Sequence, residues 1–174
     1  MPYRSSLCLM ASMVRERSIS SAELVDAHLK QIEAQNPRLN AFVSVLGEEA
    51  RAAALLADAP HEPRGLLNGV PVTVKDSFDI AGLSTQCGSR FRAGHRAARD
   101  ATAVARLRAA GAVVLGKTNC PEFLSSYETD NYLTGRTNNP WNVDRTAGGS
   151  SGGEAAAIAA FMLAMSRWML CWSV

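Results

Sequence analysis

Apolar positions recur along this chain with two different periods, and the places where the period changes mark out its elements. From Ser20 to Gln35 the residues Val25, Leu29 and Ile32 return at helical spacing, which predicts an amphipathic helix. Ser20 and Glu23 have capping-box spacing, so each side chain can satisfy a backbone N–H that the first turn leaves without a partner. The segment "NPRLN" (36–40) ends that helix. "AFVSVL" then predicts a short strand, and an Ala-rich stretch over about 47–58 a second helix, closed by the polar loop "DAPHEPRG".

In "LNGVPVTVKDSFDIAG" (67–82) the alternation of Val70, Val72 and Val74 predicts a strand that delivers Lys75 at its end. Residues 100–116, "DATAVARLRAAGAVVLG", predict a helix with Val104 and Leu107 inward, a stop at Gly111 and an all-apolar strand "AVVL". A helix running straight into a buried strand argues for an α/β layered fold. From Lys117 to Arg145 the chain crowds Asn, Thr, Gly and Pro with little periodicity, and an irregular stretch of that length in a compact domain is where function concentrates. No repeat or linker divides the chain.

Between Ala155 and Val174 only Ser166, Arg167 and Ser173 interrupt an apolar run. Two readings fit it, a membrane anchor and a buried core helix. A charge near the middle of a span is costly, so the core helix is expected.

Composition narrows the function classes. With 174 residues, 47% of them hydrophobic and 20% charged, the chain suits one globular domain. A net charge of +2, with Lys and Arg dispersed among Asp and Glu, gives no footprint for nucleic acid, so a small molecule or a protein is the expected partner. The four cysteines, Cys8, Cys87, Cys120 and Cys171, form no C-x-x-C, so no metal site or redox pair is expected, no cofactor is implied, and a reducing cytoplasm fits. Arg15, Glu16 and Arg17 arrive too early for a secretory signal peptide.

Chemistry concentrates in "AGGSSGGE" (147–154), directly before the helix-forming "EAAAIAA". Gly148, Gly149, Gly152 and Gly153 permit unusual backbone angles and close approach around Ser150 and Ser151, and free N–H groups at a helix start can hold an anion or an oxyanion. The spacing matches neither a phosphate loop nor a dinucleotide loop, and a nucleophile elbow needs a different serine position. A base is then required. His28, His61 and His95 sit in contexts that read as solvated surface. Lys75 closes an apolar strand, where desolvation would lower its proton affinity towards that of a general base; the alternative, a strand-end lysine reaching into solvent, stays open.

"GVPVTVKD", followed by "GKTNCPEF", "TGRTNNPWN" and "GGSSGGEAAA" in that order, resembles the amidase signature family from about residue 20 to about 165. The resemblance implies a hydrolase of carbon–nitrogen amide bonds acting on a small-molecule amide, with a Ser–cis-Ser–Lys triad and no cofactor. The implied fold is the N-terminal part of an α/β/α sandwich, a mixed sheet flanked by helices. Lys75 matches the family's base and Ser150 its serine preceded by a cis peptide, which relays a proton between the lysine and a nucleophile. Ser151 is expected to support the loop, and "SSYETDN" (125–131) to form part of the substrate wall.

The pattern breaks after Met165. The family's G-T-D-x-G-G-S segment, which carries the nucleophile and the oxyanion hole, is replaced by "SRWMLCWSV". By analogy the nucleophile falls near Val174; Ser173 follows Trp172 where the hole needs glycine, and Ser166 continues the helix, so no nucleophile is identified. The expectation is a single partial domain over 1–174 with a divergent tail over 166–174, inactive as written and prone to self-association through the apolar stretch from Phe161 to Val174. Two rival readings remain: the amide-transferring subunit of a tRNA-dependent amidotransferase, and a non-catalytic scaffold.

Overall fold

The computed structural model describes residues 4–60 and 65–163. Helix α1 (Leu7–Arg15) begins at Ser6, whose hydroxyl accepts from the N–H of Leu9, and it buries Met10, Ala11 and Val14. The sequence pattern does not predict this helix.

The amphipathic segment forms α2 (Ser21–Leu39), with the reciprocal Ser20–Glu23 capping box in place. Asp58 adds a second cap from a distant part of the chain, accepting from the N–H groups of Ser21 and Ala22 at 2.7 and 2.9 Å. The helix runs through Pro37 instead of ending before it. Proline forfeits one helical bond there, but Asn40 in a left-handed conformation donates to the Asn36 carbonyl, and the Asn36 side chain grips both backbone polar groups of Phe42.

Strand β1 (Phe42–Val45) and helix α3 (Gly47–Asp58) follow, then β2 (Pro71–Lys75), α4 (Thr102–Ala109), β3 (Val113–Thr118) and α5 (Gly152–Ala159). The sheet order is β1-β3-β2, with β1 antiparallel and β2 parallel to β3. This is a mixed sheet flanked by helices; the helix and strand signals predict the α/β layering, and the family resemblance implies the mixed sheet.

Each face of β3 feeds a different core. Val113 and Leu115 pack with Val25, Leu29 and Ile32 of α2, Ala50 and Ala54 of α3, and Ala156 and Ala157 of α5. Val114 joins Val72, Val74, Ile80 and Val104 on the other side, where α4 lies. Each large aliphatic side chain buried in this way contributes about 1.5–3 kcal/mol, so the two cores hold the sheet from both sides.

The alternation is broken once, and the break matters for the site. Between Val72 and Val74 the register slips, with one extra residue on β3. The slip turns Lys117 towards the side of Val114 and aims Thr118 at α5. Gly116 sits in the irregularity, where a Cβ would collide with the Ser44 carbonyl oxygen.

The irregular stretch is ordered by polar side chains. Asn131 donates to the Cys120 carbonyl and to Asn119 Oδ1, and accepts from the N–H groups of Leu133 and Thr134; Asn119 donates to Gly135 O and Thr137 Oγ1. These groups are buried, and their bonds replace the backbone ladder that the segment lacks. At the far end α5 stops at Ala159, and Met162 and Leu163 are buried while Phe161 is exposed. The core helix expected across 155–174 is therefore shorter within the described range, and the remainder of the apolar segment lies outside it.

Candidate active site

Two elements meet at the site, the end of β2 and the start of α5. Thr73 and Lys75 share the face of β2 that looks towards α5. Lys75 Nζ donates to Ser150 Oγ at 3.0 Å and to Ser151 Oγ at 2.8 Å. Lys75, Ser150 and Ser151 thus form one hydrogen-bonded group, although 75 residues separate the lysine from Ser150.

The glycine loop makes that meeting geometrically possible. The Gly149–Ser150 peptide is cis and Gly148 has φ +83°. Gly153 sits so close to the end of β3 that a Cβ would fall 2.5 Å from the Asn119 nitrogen, so any side chain there would push α5 off the sheet. Gly149 rests on the backbone of Tyr127 and Glu128, and Gly152 on Thr129. Thr129 ties the loop down twice, its N–H donating to Gly148 O and its hydroxyl accepting from Gly152 N–H, both at 2.9 Å. The segment 125–131 therefore lies directly against the serine loop.

Lys75 is half-buried, and that burial lowers its pKa from the ordinary lysine value; Cys120, Glu154 and Cys87 oppose the shift. Burial raises both thiols above the ordinary cysteine value and pushes Cys120 up to about 12. A lysine in this state can hand a proton to, or take one from, a hydroxyl at hydrogen-bond distance.

Three features of the site carried no sequence signal of their own. Glu154 accepts from Thr73 Oγ1 of β2 and Thr118 Oγ1 of β3, joining both strands to the first turn of α5. Lys117, which the sequence shows only as part of "GKTNCPEF", is buried against Asp76 at 2.7 Å, with side-chain exposures of 1% and 4%. Thr129 lies inside an irregular stretch. Each is a contact between residues distant in sequence, which spacing does not reveal.

His28 corrects an expectation. It is fully buried, not solvated, with Nδ1 3.2 Å from the Met162 carbonyl oxygen, and burial takes its pKa down to about 4. A position on an amphipathic helix does not say how far across the apolar face the neighbouring segment reaches; here residues 160–163 cover it. His95 is exposed. His61, Cys171, Ser166 and Ser173 lie outside the described residues. Among the described residues, no group of three or more His, Cys, Asp or Glu converges as a metal site, and no helix is long and apolar enough to cross a membrane.

The family model described as Amidase matches residues 23–167, most of the chain and all of this site. The chain belongs to the amidase signature family. One relative of this amidase-signature chain is a glutamyl-tRNA(Gln) amidotransferase subunit from Mycobacterium tuberculosis, 47% identical over 162 residues, covering 91% of the chain and 33% of that protein. Among solved structures, 6-aminohexanoate cyclic dimer hydrolase superposes with a TM-score of 0.84 at 38% identity, over 92% of the chain and 33% of its own. The same amidotransferase subunit from Thermotoga maritima superposes with a TM-score of 0.69 at 35% identity, over 82% and 29%. The chain spans about a third of the length of the curated relatives it matches.

Proposed function

We propose that this chain carries the base and the relay of a Ser–cis-Ser–Lys centre that breaks carbon–nitrogen amide bonds, with Lys75 as base and Ser150 as relay. The observation that carries the reading is the 3.0 Å contact between a half-buried lysine and a serine in a glycine loop, with no carboxylate paired to that lysine among the described residues. In the reaction, neutral Lys75 takes the proton of the Ser150 hydroxyl while Ser150 takes that of a nucleophilic hydroxyl. The nucleophile bonds to the amide carbon, and the proton returns along the same path to the nitrogen as the carbon–nitrogen bond breaks.

The 174 residues contain no G-T-D-x-G-G-S segment, so by itself the chain is expected not to hydrolyse amides above background. Losing the nucleophile costs about 10⁶-fold in a serine hydrolase. An aryl-amide assay on the purified chain tests this; turnover that Lys75→Ala abolishes would overturn it. A fluorophosphonate probe, which labels only an activated hydroxyl, separates a working centre from a non-catalytic scaffold.

A second reading is amide transfer. It is supported by the 47% identity to a glutamyl-tRNA(Gln) amidotransferase subunit, and it requires an ammonia donor and a tRNA-handling assembly. The dispersed charge of the chain itself offers no tRNA footprint, which favours hydrolysis of a small amide.

A further inference from the structure

The chain entering α5 is fastened both to Lys75 and to the strands around it. The bonds of Lys75 reach Ser150 and Ser151, just ahead of the helix, while one turn further on the Glu154 carboxylate accepts from Thr73 on β2 and from Thr118 on β3. Thr73 lies two residues before Lys75 on the same strand face, and Thr118 is the register partner of Lys75. The two grips therefore bracket the lysine.

We propose that Glu154 is a positioning residue for Lys75: anchored by Thr73 and Thr118, it holds the first turn of α5 on the sheet so that the serines stay on the lysine, and its negative charge sets how readily Lys75 gives up its proton. This rests on the reading of Lys75 as base. The titratable groups facing the Lys75 amine are Glu154 from α5, Cys120 beyond β3 and Cys87 from the loop after β2; Asp76 and Lys117 pair with each other nearby. Both thiols are held above their ordinary pKa, and each Glu154 oxygen accepts from a threonine hydroxyl, the arrangement of a carboxylate. The Glu154 pKa is raised above the ordinary carboxylate value, chiefly by burial, with the two threonine bonds and the lysine charge opposing the shift.

The test is competitive acylation of the 174-residue chain, with the rate at Lys75 followed by mass spectrometry from neutral to strongly alkaline pH. Glu154→Gln removes the charge and keeps an acceptor for a threonine, so the midpoint should move down by about half a pH unit, or about three-fold in rate at a fixed pH below it. Thr73→Val loosens the anchor and leaves the charge, so Lys75 gains water and its midpoint should move up. A merely structural Glu154 would move both midpoints up. A midpoint unchanged or raised in Glu154→Gln overturns the inference, and if that variant fails to fold, an unchanged midpoint in Thr73→Val does so. A parent chain whose Lys75 titrates as an ordinary surface lysine would instead overturn the base reading itself.

Discussion

Neighbouring parallel strands β2 and β3 each end near a lysine, and the two lysines have opposite fates. Lys117 faces the side of Val114, where Asp76 Oδ1 lies 2.7 Å away and Ser84 O and Thr85 Oγ1 complete its shell. Lys75 faces α5 and finds only hydroxyls within hydrogen-bond reach among the described residues. Removing one partner of a buried ammonium–carboxylate pair strands the other, so the pair acts as a structural rivet. A half-buried ammonium held by serines has a neutral form within reach. Residue type and strand position are nearly the same, so it is the neighbours that set the two lysines apart.

The comparison breaks most visibly at Lys117. Replacing it with Met strands the buried Asp76 carboxylate, and the expected loss is about 3–5 kcal/mol in denaturant unfolding. The double variant Lys117→Met/Asp76→Leu should recover much of that; a single variant as stable as the parent would mean that the pair is not a rivet.

Lys75→Met should cost far less, about 1 kcal/mol or below at neutral pH, since the site is partly solvated. Its signature is in the pH dependence. The folded pKa of Lys75 lies below the ordinary 10.5, so in the window between them the unfolded chain binds more protons and stability rises with pH. Unfolding curves of parent and Lys75→Met should therefore diverge in the parent's favour as pH climbs through that window, and parallel curves would contradict the burial of the amine. Ser151→Ala is the smallest change, about 0.5 kcal/mol, because its hydroxyl is exposed; it should still speed acylation of Lys75 by freeing one of its bonds.

Part of this contrast was legible in the sequence. The alternation through Val70, Val72 and Val74 placed Lys75 at a strand end, and the glycines marked the serine loop, because period and backbone freedom are local properties. Lys117 stayed silent for a physical reason. "AVVL" predicts a strand but not that a register slip carries it on to Thr118 and turns Lys117 away from Leu115, since that slip depends on the partner strand. The same limit hid Glu154, whose threonine partners lie 81 and 36 residues away, and the burial of His28 under residues from the other end of the chain.

The asparagine-bonded segment has a consequence for hydrogen exchange. The amides of Leu133 and Thr134 end on Asn131 Oδ1, that of Cys120 on Asn119 Oδ1, and that of Thr137 on the Thr129 carbonyl. Their protons exchange only when those contacts open, so slow amides should appear where there is neither helix nor strand. Thr129 also holds the N–H of Gly152, so an opening that frees Thr129 should unprotect the first amide of α5 at the same rate. The serine loop and the irregular segment would then behave as one cooperative unit, opening and closing together.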